Sequence, residues 1–264
     1  MRITIVGAGV MGQALATGLQ RAEQEVDLRF LTRTAESAAE VQAETSIPSS
    51  ANIASTTADA EVVVLCLKPH KTLAALEAIA PSLPANAVVV SIAAGLHLGQ
   101  LASTLSESQP LVRAMPNTPC RVGAGMTVVC GSTHTSASAV TKVKTMFDVF
   151  GQVLELEEEH FDAVTGLSAS GPAFIFLVIE ALSDGGVMAG LPRDVAVKLA
   201  TQATLGASTM VQQTGEHPAS LRDAVTTPAG CTISALLRME DGKLRSVLAR
   251  GVQEAAESAA RLGD

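Results

Sequence analysis

Ile3-Thr-Ile-Val-Gly-Ala-Gly-Val-Met-Gly12 decides the fold. Its first four residues form an apolar, β-branched run of strand length, and glycine follows at once. The six residues from Gly7 to Gly12 fit G-x-G-x-x-G, and the stretch after them, Val10 to about Arg21, reads as a helix. Each glycine has a physical task in such a strand–turn–helix unit. Gly7 turns the chain off the strand, Gly9 lets the backbone approach a pyrophosphate, and Gly12 lets the helix lie close to the sheet. The helix N-terminus then offers free N–H groups and a positive dipole end. Gly7, Ala8, Gly9, Val10, Met11 and Gly12 are therefore candidate dinucleotide-binding residues.

Working outward, the same alternation repeats. Strands are expected over 26–31, 61–67, 87–92, 111–115, 126–130 and 152–156, with Ala-rich helices between them. Strand–helix alternation implies right-handed crossovers and a doubly wound sheet. After Glu157-Glu158-Glu159 the period changes, and from Phe161 onward only helical patterns remain. The expected architecture is α/β: a Rossmann-type doubly wound sheet over residues 1–157, followed by an all-helical domain over 158–264. One helix there, starting at Pro172, carries Ala-Phe-Ile-Phe-Leu-Val-Ile-Glu-Ala-Leu and is apolar on every face. About 100 residues offer too little bulk to cover such a helix, so a homo-oligomer built on an intertwined dimer is expected.

Composition narrows the partners. Hydrophobic residues make up 47% and charged residues 17% of 264, yet there are six Phe and no Trp or Tyr. An acidic chain, formal net charge −8, without aromatic platforms is a poor nucleic-acid binder. Cys66, Cys120, Cys130 and Cys231 show no metal-ligand spacing and no disulfide framework, so no metal is expected. The longest apolar run near the middle, 172–179, falls short of the ~20 residues that span a bilayer. No leader is recognisable, and a cytoplasmic location away from membranes is expected.

The end of the second strand selects the coenzyme. NAD sites usually place an acid there to take the ribose hydroxyls; here the chain reads Leu31-Thr-Arg-Thr34. Arg33, with the Thr32 and Thr34 hydroxyls, suits a 2′-phosphate, which favours NADPH over NADH. Two further strand ends, Leu67-Lys68-Pro69 and Ala93-Ala94-Gly95, are expected to meet the coenzyme, because ligands of open α/β sheets bind at the carboxyl ends of strands. Small side chains at the second leave room for the nicotinamide ribose.

Three later segments stand out: Arg113-Ala-Met-Pro-Asn-Thr-Pro119, Ser168-Ala-Ser-Gly-Pro-Ala-Phe174 and Leu221-Arg-Asp-Ala-Val-Thr-Thr-Pro-Ala-Gly-Cys-Thr-Ile-Ser-Ala-Leu236. Asn117 is a candidate partner for the nicotinamide. Ser170 or Gly171 is expected to cap the buried helix. The N–H groups from Ala229 to Thr232 open another helix and suit a carboxylate. With GAGVMG and LKPH at 67–70, these segments make the chain resemble the pyrroline-5-carboxylate reductase family along essentially its whole length. The resemblance implies NAD(P)H-dependent reduction of 1-pyrroline-5-carboxylate to L-proline, the final step of proline synthesis, and a C-terminal domain intertwined with a second subunit. Departures are small. Ala229 stands where the family usually has glycine, and Ala169 and Phe174 replace Gly and Tyr of SGSGPAY.

The chemistry agrees with that resemblance. The substrate is a small cyclic imine with a carboxylate, and hydride transfer to a protonated imine needs placement and desolvation more than a strong acid. Ala229, Gly230 and Cys231, assisted by Thr227, are assigned to the carboxylate, and Thr232 to the ring nitrogen. An NADP-dependent β-hydroxyacid dehydrogenase is the nearest rival, but that family resembles itself in a lysine one turn beyond a glycine-rich helix start. Here no lysine occurs between Lys144 and Lys198, and Ile175 holds the position. A non-catalytic NADPH sensor is the other alternative; it would need no carboxylate pocket.

Overall fold

Strands that are apolar without interruption must be covered on both faces, which a parallel sheet with helices on each side achieves. The computed structural model describes residues 1–22 and 25–262. It contains strands β1 (Arg2–Val6), β2 (Asp27–Leu31), β3 (Ser49–Ser50), β4 (Val62–Leu65), β5 (Val88–Ser91), β6 (Leu111–Pro116), β7 (Gly125–Gly131) and β8 (Gly151–Glu155). Helices α1 (Val10–Arg21), α2 (Ala35–Thr45), α3 (Ile53–Thr57), α4 (Pro69–Ile79), α5 (Leu98–Ala102) and α6 (Ala137–Asp148) connect them. The rest is α7 (Phe161–Val164), α8 (Gly171–Met188), α9 (Arg193–Thr214), α10 (Pro218–Ala224), α11 (Cys231–Asp241) and α12 (Leu244–Ala260).

The strands form one sheet in the order β3-β2-β1-β4-β5-β6-β7-β8, so the winding reverses between β1 and β4. Such a switch point opens a crevice at the carboxyl ends of the strands. All four residues of β4 are buried. Val62 and Val64 face a core with Leu15, Leu19 and Phe147, whereas Val63 and Leu65 face another with Leu76, Ile79 and Leu101.

One connection differs from the expected crossovers. β7 runs antiparallel to β6, and β8 is parallel to β7. Only residues 117–124 separate β6 from β7, with a 3₁₀ turn at Thr118–Val122. A parallel return needs about a dozen residues or more, so this chain folds straight back.

The protein divides into two compact units, Met1–Ser170 with Glu254–Asp264, and Gly171–Gln253. In the second unit α8 packs along α9, and only Ser183 of α8 is buried. Phe176 and Leu177 are each 64% exposed, and Met188 also faces outward. A helical run, Glu158–Met188, is long and apolar enough to cross a membrane by length and composition. The uninterrupted apolar residues at 172–179 understate it, because helix continues through 165–171. Ser170 consequently closes the π-turn and does not open α8: it is right-handed helical, its backbone N–H and hydroxyl both donate back to the Thr165 carbonyl, at 3.0 and 2.9 Å, and Gly171 is already the first residue of α8.

Candidate active site

The first glycine-rich turn is shaped by contacts that admit no side chain. Gly7 has φ +98°, and a Cβ there would meet Leu67 Cδ2 at 2.6 Å and the Cys66 carbonyl oxygen at 2.8 Å. A Cβ on Gly12 would lie 2.2 Å from the Gly7 carbonyl oxygen. Gly9 is different: its missing side chain faces open space, and as N-cap of α1 it offers no side-chain acceptor to the helix N–H groups. An open backbone cradle at the positive end of a 12-residue helix fits a pyrophosphate. Ala8 and Met11 pack against the core, and Val10 is 75% exposed. Burial in the apolar core pushes the neighbouring Cys66 thiol far up, so it stays neutral there.

At the end of β2, the Thr34 hydroxyl caps α2 by accepting from Ser37 N at 3.2 Å, while Ser37 Oγ accepts from Thr34 N at 3.3 Å. The Thr32 hydroxyl donates to the Thr34 carbonyl at 3.0 Å. Arg33 is exposed and has no protein partner among the described residues. The threonines thus order the loop, and Arg33 is the free cation beside it. Lys68 is the N-cap of α4 with Pro69 in its first turn, and Leu67 packs into the core. Ala93 is buried, Ala94 lies at the core's edge, and Gly95 takes the left-handed conformation with φ +76°. The parallel pairing of Ser91 with Arg113 brings the end of β5 beside the middle of β6.

Asn117 follows β6, and its amide is engaged at both ends. Its Oδ1 accepts from Met126 N at 2.9 Å, and its Nδ2 donates to the Ser168 carbonyl at 3.2 Å. Four positions earlier, Arg113 is buried to 1% side-chain exposure. Its Nη1 donates to Glu158 Oε1 at 2.9 Å and lies 3.3 Å from His97 Nδ1, and its guanidinium stacks 4.6 Å above the Phe161 ring. Glu158 Oε1 also accepts from Leu98 N at 2.6 Å. Arg113 Nε and Nη2 have no partner among the described residues. Sequence reasoning passed over this cluster. Arg113 and Glu158 lie 45 positions apart, and the only local sign was a cationic residue inside an apolar strand.

The last segment folds as a turn and a helix. Gly230 N donates to the Thr227 carbonyl at 2.9 Å, and Ala229 has φ +57°. Pro228 fixes the position before it, as in a type II turn, which wants glycine where Ala229 stands. Gly230 is the N-cap of α11 and brings no capping side chain. The N–H groups of Cys231, Thr232 and Ile233 fall in the unpaired first turn, and that of Ala229 is also without an acceptor among the described residues. Gly230 departs from the expected set of donors because its own N–H closes the turn. It serves by shape: a Cβ there would come 2.4 Å from Thr227 Oγ1. The hydroxyls of Thr227 and Thr232 have no partner among the described residues. Nothing strongly acidic or basic stands among residues 227–233; the nearest charges in sequence are the Arg222–Asp223 pair, bonded to each other at 2.8 Å. Such a site can hold an anion and orient a neutral or protonated ring, with little capacity to transfer protons itself.

The model for pyrroline-5-carboxylate reductase dimerisation matches residues 158–262, and that for coenzyme F420-dependent NADP oxidoreductases matches residues 2–95. A pyrroline-5-carboxylate reductase of Corynebacterium melassecola is 38% identical over 265 residues, covering 99% of this chain and 98% of the relative. The chain belongs to the pyrroline-5-carboxylate reductase family. The Escherichia coli K12 reductase is 34% identical over 263 residues, with 99% and 98% covered. Among solved structures, Plasmodium falciparum pyrroline carboxylate reductase with NADP bound superposes with a TM-score of 0.89 at 27% identity, over 100% of this chain and 98% of that one. The Streptococcus pyogenes 1-pyrroline-5-carboxylate reductase gives 0.88 at 28%, covering 99% and 98%. Prephenate dehydrogenase from A. aeolicus, at 16% identity and 0.57, shares the fold.

Proposed function

We propose that this protein is a pyrroline-5-carboxylate reductase that uses NADPH to reduce the cyclic imine 1-pyrroline-5-carboxylate to L-proline. The observation that carries the reading within this family is the Thr227–Gly230 turn, which presents free N–H groups at the start of α11 where no carboxylate side chain competes for them. NADPH supplies a hydride to the imine carbon when bound. The open backbone at Gly9 and the free Arg33 fit its pyrophosphate and 2′-phosphate. Ala229, Cys231 and Thr232 N–H groups hold the substrate carboxylate, with Gly230 and Thr227 shaping the turn. The Thr232 hydroxyl orients the ring nitrogen, and solvent or the already protonated substrate provides the proton. Exclusion of water at the small-residue end of β5 (Ala93, Ala94 and Gly95) keeps the iminium short of competing nucleophiles.

In this reading residues 1–157 serve the coenzyme and residues 158–264 serve substrate and assembly. The protein works as a homo-oligomer. A second copy whose helices intertwine with α8 accounts for its apolar outer face better than a bilayer does, since Glu180 and Asp184 interrupt that face. The working place is the cytoplasm, without membrane or nucleic acid.

The test is consumption of NADPH absorbance on adding pyrroline-5-carboxylate, compared between wild type and Thr232→Ala. Turnover lowered about tenfold or more with NADPH binding intact supports the assignment. A wild type that leaves NADPH unchanged refutes the function, and a variant with normal kinetics and only a lower melting temperature refutes the role of Thr232.

A further inference from the structure

One motif is left without a role by the chemistry above: Asn117, whose amide is consumed by backbone groups. The carbonyl it meets belongs to an unusual piece of chain. Residues Thr165–Ala169 form a π-helical turn between α7 and α8, a distortion that recurs at functional sites. A regular helix would give the Ser168 carbonyl a donor four residues on, but that residue is Pro172, which has no N–H. Asn117 Nδ2, at 3.2 Å, supplies a donor from the end of β6. The other end of the same amide is locked by Met126 N on β7, so the donor cannot swing away. Ala169 packs into the core that also holds Ala94 and Met115. The π-turn packs against β6, which neighbours β5 in the sheet, and the small-residue end of β5 is where the nicotinamide half of the coenzyme is placed above.

We infer that Asn117 is a positioning residue for hydride transfer: it fixes the π-turn Thr165–Ala169 as one wall of the nicotinamide end of the cleft. This rests on the proposed reductase activity. Its hydrogen bonds reach neither the glycine-rich turn nor Arg33, the two places that hold the phosphates. Removing the donor should thus spare coenzyme affinity while loosening the geometry of transfer, for which a displacement of about 1 Å costs on the order of 100-fold.

The decisive variant is Asn117→Asp. It keeps an acceptor for Met126 N but turns a negative oxygen toward the Ser168 carbonyl. NADPH binding is titrated by the emission of NADPH itself, and kcat is expressed per NADPH-binding site, so that a partly unfolded sample does not count as slow enzyme. The expected result is a dissociation constant for NADPH within about threefold of wild type and kcat per site lowered at least about fivefold. Asn117→Ala, which adds no charge, is read by the same two numbers if the first variant does not fold. A smaller fall in kcat per site overturns the inference. A larger loss of NADPH affinity in both variants overturns it as well, because Asn117 would then be a coenzyme contact or a pillar of the fold. If the wild type itself fails to oxidise NADPH with pyrroline-5-carboxylate, the reductase reading has failed; if wild type and variants are equally active, only the role of Asn117 has.

Discussion

Ala229→Gly is expected to make this protein more stable, against the usual direction of a substitution to glycine. Ala229 sits at φ +57°, where an L side chain crowds the following carbonyl at a cost of about 1–2 kcal/mol. Glycine escapes that cost but surrenders about 0.5–1 kcal/mol more backbone entropy on folding. The balance favours glycine by about 0.5–1 kcal/mol per chain. For a chain of this size that is a rise of about 1–4 °C in melting temperature. Without Trp or Tyr, unfolding is followed by far-ultraviolet circular dichroism in urea, where the midpoint should rise at unchanged slope. The turn itself is unaltered, so KM for pyrroline-5-carboxylate should stay within about twofold. The adjacent change, Gly230→Ala, should act oppositely. Its Cβ would be driven to 2.4 Å from Thr227 Oγ1 and 3.0 Å from the Thr227 carbonyl. Relief by shifting Thr227 costs about 1–3 kcal/mol and misaims the N–H groups of α11, raising KM. A destabilised Ala229→Gly, or a Gly230→Ala that binds substrate normally, would refute the turn geometry and the carboxylate site drawn from it.

Arg33→Ala removes the cation proposed to meet the 2′-phosphate, so KM for NADPH should rise about tenfold while KM for NADH is unchanged; an unaltered preference between the coenzymes rejects Arg33 as the selector. The Arg29 guanidinium, hydrogen-bonded at 2.8 Å, holds the Asp59 carboxyl below its usual range, and the Arg2 N–H does the same for Glu61. Because both folded values are depressed, their contribution is full above the unfolded values of about 4 and disappears as pH falls through the folded ones. Asp59→Asn should therefore lower stability above about pH 4, with the slope near neutrality unchanged, and flatten the acid side of the stability–pH curve so that variant and wild type converge at low pH, as read from urea midpoints. Burial raises the Cys66, Cys120 and Cys130 thiols, while Cys231 is exposed. A thiol reagent near neutral pH should label Cys231 first, and Cys231→Ser should abolish that fast phase; fast labelling that survives the substitution contradicts the burial.

What the sequence made legible was local chemistry. The run from Ile3 to Gly12 specifies strand, turn and helix through residues in direct succession, and the helix Val10–Arg21 has the bounds its pattern implies. The strands at Val62–Leu65 and Val88–Ser91 are equally plain, being short, β-branched and bounded by turns. Direction is another matter. Nothing in Gly125–Gly131 says that it runs antiparallel to β6; only the shortness of the preceding connection does, once the intervening residues are known to form no helix. The π-turn was illegible because the pattern of Val164 to Phe174 suits a fresh helix start with Pro172 in its first turn, and the bond that favours continuity comes from Asn117, 51 residues earlier. Likewise, whether the Gly230 N–H is free depends on a turn whose left-handed residue is alanine, a residue that does not announce one.

The places where local rules are broken are also those nearest the proposed chemistry, and the expense of each argues for a purpose. A buried ion pair seldom adds net stability over an apolar replacement of similar size. Arg113 has one carboxylate oxygen within hydrogen-bonding reach and two nitrogens, Nε and Nη2, with no partner among the described residues, so stability is a poor explanation for it. What it does secure is register: Glu158 is drawn between Arg113 and the N–H of Leu98, and Phe161 is held beneath the guanidinium. Those two contacts fix the chain just before the π-turn, and the Asn117 amide holds the Ser168 carbonyl near the turn's other end. A segment anchored at both ends by polar groups of one strand and its following loop has little freedom to slide. Apolar packing alone, being non-directional, would tolerate a shift of a fraction of a turn. That is the tolerance a hydride donor and acceptor cannot have, and it accounts for Arg113 being the only buried charged residue among the described residues.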